Sequence, residues 1–133
     1  MSHESQDLWQ RAVEALRVAQ REAALSPDAS ASRAYYAVFY GVSALFALRG
    51  RSFRRHSEVE TAVHRDLVRE GLWNRELGAT YTELLRLREV GDYGGDRHVT
   101  PEQAKEAASS ALTILGAVSC LHPHSFRMQE HED

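Results

Sequence analysis

Helix start and stop signals divide the 133-residue chain into five segments whose apolar residues recur at helical spacing. Ser26 before Pro27 and Thr100 before Pro101 are typical helix beginnings, because a small polar cap precedes a residue whose φ angle suits the first turn. Gly50 ends the second segment as a typical stop signal. No segment alternates apolar and polar residues between turns, as strands do. The sequence therefore predicts an all-α fold, an antiparallel bundle of four to five helices.

The same signals give approximate helix boundaries. The expected helices cover about residues 7–24, 27–49, 57–70 and 75–90, and a fifth begins at about residue 101. Gly91, Gly94 and Gly95 are expected to end the fourth helix after Val90. The second segment is apolar almost all round, which is typical of a central helix buried on several sides.

The composition fits one domain with one hydrophobic core. Apolar residues make up 43% of the chain and charged residues 26%, an ordinary globular mixture. With three prolines and eight glycines, no stretch has the composition of a long linker. We expect a single domain over residues 1–133, of which about residues 122–133 form a flexible tail.

The net charge of −3 argues against a protein that coats nucleic acid through a general positive field. The arginines are nevertheless concentrated between positions 49 and 56, where the chain has no acidic residue. Four lie there: Arg49, Arg51, Arg54 and Arg55. A local basic patch on an acidic body suits a small phosphate-bearing ligand or a partner surface better than a long duplex.

Targeting signals and cysteine usage favour a cytoplasmic protein that does not enter a membrane. The first residues lack the basic start and apolar run of a signal peptide. No stretch approaches the roughly 18 apolar residues of a membrane span. Cys120 is the only cysteine, so no disulfide forms within the chain, as is usual in a reducing compartment. Because Cys120 lies at the end of an apolar helix, we expect it to be buried rather than nucleophilic.

The second helix carries polar groups on an apolar background. Arg33, Tyr36 and Tyr40 share one face at spacings i, i+3 and i+7. Helix formation does not require an arginine or phenols there, so a polar pocket inside the bundle is one interpretation. The alternative is that Arg33 extends its charged end into solvent while the tyrosines pack in the core. The sequence alone leaves both open.

The fourth helix carries a second polar group on an inward stripe. Leu77, Tyr81 and Leu84 form this stripe, and Arg88 occupies its next position. Asp92 follows four residues later, where we expect it to lie just past the helix end. Arg88 and Asp92 are therefore candidates for a binding site, and a purely structural salt bridge is the alternative.

His56 follows the basic segment and opens the third helix. Arg51 can bind a phosphate bidentately and a neutral His56 can remove a proton, so the pair suits RNA cleavage through a 2′-hydroxyl. A solvated basic loop that happens to contain a histidine is the alternative. His56, Glu60 and His64 are spaced four apart, which is compatible with a metal on one helix face. Such spacing also recurs by chance, and we expect no metal and no cofactor.

Four segments together resemble the HEPN family of small helical nucleotide-binding domains, in its stand-alone bacterial and archaeal branch. RAYYAVF at residues 33–39 resembles the core motif of the second helix, and HSEV at 56–59 resembles a short histidine motif. REVGDY at 88–93 resembles an Arg-x-x-x-Asp-Tyr motif, and TPEQA at 100–104 resembles the start of the last helix. The resemblance covers nearly the whole chain, with the motifs in the family's order.

The resemblance implies a bundle of four or five helices that forms a homodimer with a groove near the dimer axis. It also implies an association with nucleotides or RNA. Relatives of this kind are often partners of a minimal nucleotidyltransferase, frequently as a toxin–antitoxin pair. In some of them a tyrosine beside the Arg-x-x-x-Asp-Tyr motif accepts a nucleotide, which makes Tyr93 a candidate acceptor.

The chain departs from the motif of the ribonuclease members, in which an arginine is followed after four to six residues by a histidine. After Arg88 the next histidine is His98, and Asp92 and Tyr93 lie where the histidine is expected. The departure favours a module that binds without cleaving. A metal-independent endoribonuclease is the alternative, with His56 as general base and Arg88, together with Arg51 or Arg33, stabilising the pentavalent phosphate. A structural adaptor without a ligand is the third possibility.

The candidate site residues follow from these motifs. The predicted nucleotide- and phosphate-binding residues are Arg33, Tyr36, Arg51, Arg88, Asp92 and Tyr93, and the predicted catalytic residues are His56 and Arg88. In this interpretation Asp92 orients Arg88, and Tyr36 or Tyr93 stacks on a base.

Overall fold

The computed structural model describes residues 3–128. It contains α1 (His3–Glu22), α2 (Pro27–Leu48), α3 (His56–Ala62), α4 (Arg75–Tyr93) and α5 (Pro101–Leu121), with a π-helical stretch, Val63–Val68, directly after α3. Within residues 3–128 the structure has no β-strand. The predicted all-α bundle of short-linked helices is therefore confirmed.

Helix α2 is the centre of the bundle. It packs against α1, α4 and α5 and also contacts α3, as expected for a helix that is apolar on nearly every side. The largest fully buried side chains include Tyr35, Phe46, Leu45, Leu67, Tyr81, Ile114, Leu115 and Phe126. Gly41 permits close packing of α2 against α1 and α5, since a Cβ there would collide with Leu115 and would lie within 4 Å of Trp9 and Ala12. Close packing therefore fixes the position of α2 and of the side chains that it directs toward α3 and α4.

Helix α3 begins at His56, one residue before the predicted start. The carboxylate of Glu58 accepts hydrogen bonds from the backbone N–H groups of Arg54 (2.9 Å) and Arg55 (3.1 Å). These bonds also lower the pKa of Glu58. The first turn is thereby fixed by Glu58, and His56 becomes the first helical residue.

Helix α4 extends through Gly91 to Tyr93, so the predicted end at residue 90 is wrong. The reason is that Gly91 permits a close helix approach instead of breaking the helix. A Cβ on Gly91 would lie 2.8 Å from the backbone oxygen of Asp28, at the start of α2. Asp92 and Tyr93 are consequently helical residues, one turn after Arg88, and do not belong to the loop.

The segment after α5 is packed against α1 as far as the structure describes it. The indole N–H of Trp9 donates to the backbone oxygen of Arg127 (2.8 Å), and Phe126 is fully buried against the Trp9 ring. A flexible tail was expected from residue 122, but the buried Phe126 ring and hydrogen bonds to the backbone oxygens of Ser125, Phe126 and Arg127 attach this segment to α1 and α5. The rest of that predicted tail, residues 129–133, lies outside the described residues.

Two surface features complete the description. Cys120 is exposed, contrary to the expectation of burial, because it lies on the outer side of the last turns of α5. Among residues 3–128, no helix combines the length and apolar character that crossing a bilayer requires.

Candidate functional site

Polar and aromatic side chains from α2, α3 and α4 meet beside the bundle core. We call this group the Arg88 cluster. Its members are Arg33, Tyr36, His56, Arg88, Asp92 and Tyr93. The cluster therefore joins five of the six predicted binding residues with the predicted catalytic histidine.

Two guanidinium groups from separate helices each lie against the ring of Tyr36. The Cζ atom of Arg33, on α2, lies 4.9 Å from the ring centroid, and the Cζ atom of Arg88, on α4, lies 5.4 Å from it. Arg88 also donates from Nη2 to the Tyr36 hydroxyl at 3.1 Å. The i, i+3 spacing of Arg33 and Tyr36 produces the first contact, and the packing of α4 on α2 produces the second.

The charge in the cluster is only partly balanced. Arg88 donates from Nε to Oδ2 of Asp92 at 2.9 Å, and the two side chains are only 16% and 28% exposed. Arg33 has no carboxylate partner within residues 3–128, and its contact is with the Tyr36 ring. Arg88 is therefore paired with a carboxylate, as the alternative interpretation expected. Arg33 is in no ion pair within residues 3–128, although it lines a surface groove that also contains Asp7 and Glu14.

His56 lies against the same aromatic face of α2. Its Nδ1 is 2.7 Å from the hydroxyl of Tyr35, and its ring stacks on Phe39 at 4.2 Å with an interplanar angle of 7°. The ring also meets the edge of Tyr36 at 5.7 Å. Partial burial lowers the pKa of His56, and the positive charge of Arg88 lowers it further. The imidazole is consequently neutral at neutral pH.

Tyr35 belongs to the site, although sequence reasoning did not select it. Its side chain is fully buried, and burial raises its pKa to about 12. The neighbouring Tyr81 is also fully buried, with the two ring centroids 6.0 Å apart. The signal in the sequence was the presence of consecutive tyrosines in a core helix. The partner of Tyr35, His56, comes from another helix and is set only by the tertiary fold.

Tyr93 forms the outer wall of the cluster. It is 71% exposed, its hydroxyl lies 3.5 Å from Nη2 of Arg88, and the Arg88 Cζ atom lies 5.6 Å from its ring centroid. The extension of α4 past Gly91 produces this contact. The phenol is therefore reachable from solvent and adjacent to the cationic group.

Arg51 lies elsewhere. Its Nη1 donates to Oδ2 of Asp66 at 2.8 Å, and its Cζ atom lies 4.8 Å and 5.3 Å from the ring centroids of Phe46 and Phe53. Arg65 donates to the same carboxylate, and these two arginines hold the pKa of Asp66 well below its usual range. The structure gives Arg51 contacts that fix the segment before α3, and none with the Arg88 cluster.

Two of the three residues with metal-compatible spacing, Glu60 and His64, share the Thr82 hydroxyl as a partner, and His56 has a different one. Thr82 donates from Oγ1 to Oε2 of Glu60 at 2.8 Å, and Nε2 of His64 lies 2.8 Å from the same hydroxyl. His56 is engaged with Tyr35 instead. Across residues 3–128 no three metal-binding side chains are grouped together.

Comparisons with known proteins place this geometry in context. The family model described as "HEPN domain" matches residues 5–121, a region that contains all four motifs. A UPF0332 protein of Thermotoga maritima is 40% identical over 90 residues, which cover 68% of this chain and 68% of the relative. A UPF0332 protein of Gloeobacter violaceus is 34% identical over 118 residues, covering 86% of this chain and 93% of the relative.

Proposed function

The chain belongs to the HEPN domain family, and on that premise we propose that it is a nucleotide- or RNA-associated module that binds a phosphate-bearing ligand at the Arg88 cluster. Arg33 and Arg88 hold the phosphate oxygens, Asp92 orients Arg88, and the exposed ring of Tyr93 stacks on a base. The ligand is a nucleotide or the end of a short RNA, because the cluster is local and the chain as a whole is acidic.

The observation that carries this proposal is that two guanidinium groups lie against one phenol ring and that one of them, Arg33, is in no ion pair within residues 3–128. Guanidinium binds phosphate through paired N–H donors, and its attraction for an anion increases where water is partly excluded. Arg88 is mostly buried, and Asp92 already fixes its orientation. An incoming anion would neutralise Arg33 and meet a donor that does not need to be ordered.

The test is calorimetry with nucleoside monophosphates and short 5′-phosphorylated RNAs. Arg88→Met should weaken binding about 10- to 100-fold, since hydrogen bonds to charged groups contribute about 1.5–3 kcal/mol. Arg86→Met is the matched control, because Arg86 lies on the same helix but is exposed and paired with Glu83. Equal affinities for the wild type and the Arg88 variant, or no binding of any of these ligands by the wild type, would refute the proposal.

The partnership is the finer part of the proposal. We infer a cytoplasmic homodimer that works with a minimal nucleotidyltransferase in a toxin–antitoxin-like pair, and the family resemblance is the support for it. Tyr93 supports it further, because an exposed hydroxyl beside Arg88 is accessible to a transferase that carries a nucleotide. Co-expression with the transferase encoded nearest to the gene, followed by intact-mass measurement, tests this. The absence of a complex and of any added nucleotide mass would refute it.

A metal-independent endoribonuclease is the second candidate, favoured by one specific observation. His56 is neutral and adjacent to Arg88, although it comes from a helix other than α4. If it acts as a general base, cleavage of RNA in EDTA should disappear in His56→Ala and persist in His64→Ala, whose histidine is exposed on the following π-helical stretch. An unchanged cleavage rate in His56→Ala excludes this mechanism.

A further inference from the structure

The two nitrogens of His56 are in different situations. Nδ1 is 2.7 Å from the buried Tyr35 hydroxyl, whereas Nε2 has no hydrogen-bond partner within residues 3–128. The ring is stacked almost parallel on Phe39, which restricts its rotation. Which nitrogen carries the single proton of the neutral imidazole decides whether the unpartnered side is a donor or an acceptor.

The hydrogen atoms around Tyr35 decide this question. The phenol of Tyr35 is fully buried and stays protonated, since burial raises its pKa to about 12. Within residues 3–128, Nδ1 of His56 is the acceptor at hydrogen-bond distance from its O–H. If Nδ1 carried the proton, it would itself donate to the Tyr35 oxygen, and the phenolic hydrogen would lose that acceptor.

The buried hydroxyl of Tyr81 further disfavours the tautomer that is protonated on Nδ1. Its hydroxyl is buried without a hydrogen-bond partner within the described residues, and the nearest phenol is Tyr35. When Tyr35 donates to Nδ1, its oxygen remains free to accept from the Tyr81 hydroxyl, and the two phenols interact in this sense. When Nδ1 donates, two buried O–H groups compete for one another, and one of them remains without an acceptor. A buried donor without an acceptor is costly, so the first arrangement is favoured.

We infer that Tyr35 fixes neutral His56 as the tautomer protonated on Nε2, and that this N–H is a third donor, with Arg33 and Arg88, to a bound phosphate. The inference about the donor role rests on the proposed function, whereas the tautomer does not. It also separates the two candidate functions. A nitrogen that already carries a hydrogen cannot accept one from a 2′-hydroxyl, so the resting site is arranged for binding and not for general-base cleavage.

The first test is the nitrogen spectrum of the full chain without ligand. Long-range ¹H–¹⁵N correlation at neutral pH, with His56 assigned through His56→Gln, should give Nε2 the shift of a protonated nitrogen and Nδ1 that of an unprotonated one. Tyr35→Phe should shift both toward a mixture of tautomers. Tyr40→Phe, on the same helix but without a hydrogen bond to His56, should leave both unchanged. A wild-type spectrum with the proton on Nδ1 overturns the inference even if the Tyr35 variant does not fold.

The second test adds inorganic phosphate or a 5′-phosphorylated dinucleotide to the same sample. The Nε2–H resonance should move on binding, and His56→Ala should weaken binding about tenfold, the effect of one hydrogen bond to a charged group. Binding that depends on Arg88 but leaves the Nε2–H resonance and the His56→Ala affinity unchanged overturns the donor role. If neither probe binds, the proposed function and the donor role are both refuted. The ligand-free spectrum still decides which tautomer is present.

Discussion

The chain contains two arginines that are each stacked on aromatic rings and paired with an aspartate, and their surroundings differ. Arg51 lies over two phenylalanines, and its carboxylate partner, Asp66, is also bound by Arg65. Arg88 lies over tyrosines, and Arg33, which lies against the same Tyr36 ring, is in no ion pair within residues 3–128. The same pairing of guanidinium, ring and carboxylate is therefore a structural clamp in one place and an incomplete polar site in the other.

The difference lies in what the rings and neighbours offer to a ligand. Phenylalanine rings provide only a surface for stacking, so the donors of Arg51 are directed to Asp66. Around Arg88 the phenols add hydroxyl groups, and His56 and Arg33 add groups whose partners are incomplete. An arginine in a helical core is thus a sign of function only when the groups around it remain unsatisfied.

The largest expected effect distinguishes the two arginines by ligand affinity. Arg88→Met should weaken binding of a 5′-phosphorylated RNA about 10- to 100-fold. Arg51→Met should change it less than twofold, because the side-chain contacts of Arg51 in the described part of the chain are with Phe46, Phe53 and Asp66. Fluorescence anisotropy at constant salt measures both. A loss of affinity in the Arg51 variant equal to that in the Arg88 variant would mean that the two regions form one binding surface.

The next effect tests how α4 is held in place. Gly91→Ala introduces a Cβ 2.8 Å from the Asp28 backbone oxygen, and overpacking of this kind costs about 1–3 kcal/mol. The helix propensity gained, about 1 kcal/mol, offsets only part of this loss. We expect a lower midpoint in urea unfolding and weaker ligand binding, since Asp92 and Tyr93 follow Gly91 directly.

Gly116→Ala is the matched control for this change. A Cβ on Gly116, inside α5, would meet no atom of residues 3–128 within 4 Å, so the substitution should stabilise the protein by about 0.5–1 kcal/mol through helix propensity. A Gly91 variant that is stabilised to the same extent would show that the α2–α4 contact does not require a glycine.

A smaller effect concerns the clamp around Arg51. Arg51→Met should lower the free energy of unfolding by about 1 kcal/mol, because a half-exposed ion pair and a cation–π contact each contribute about 0.2–1 kcal/mol. Urea unfolding measures the change, with Arg17→Met as control, since Arg17 pairs with Glu14 on an exposed face. A loss well above 2 kcal/mol would indicate that Arg51 supports α3 as a whole.

The sequence predicted the fold well because its signals are local. Caps, stop signals and apolar spacing defined five helices, and the four motifs indicated the family that the comparisons confirm. Two local signals were misleading for a physical reason. Gly91 was interpreted as a helix end, but it serves a contact with Asp28, which is distant in sequence. The segment around Phe126 was interpreted as a tail, although one aromatic docks on Trp9.

The site was predictable where residues share one helix face and less so where helices meet. The face of Arg33 and Tyr36 and the pair of Arg88 and Asp92 follow from helical spacing alone. The sequence does not show that Arg51 pairs with Asp66 and not with the Arg88 cluster, because this contact depends on the path of the segment before α3. The contact between Tyr35 and His56 depends on how α3 packs against α2, and spacing within either helix does not encode it.

The smallest expected effect separates the two regions by pH. Burial and Arg88 lower the pKa of His56 below its ordinary 6.5, so the folded state favours the neutral ring. The stability that results is complete above pH 6.5 and is lost as the pH falls toward the lowered pKa. Asp66 has a lowered pKa too, but its contribution to the free energy of unfolding persists until the pH falls below 3.8, the ordinary pKa of a free carboxyl.

The urea midpoint should therefore fall less between pH 7.5 and pH 5 in His56→Gln than in the wild type. The midpoint of Asp66→Asn should change with pH as that of the wild type does. Parallel slopes for His56→Gln and the wild type would mean that the imidazole is not sheltered from water, and the contrast between the clamp and the site would then depend on Arg33 alone.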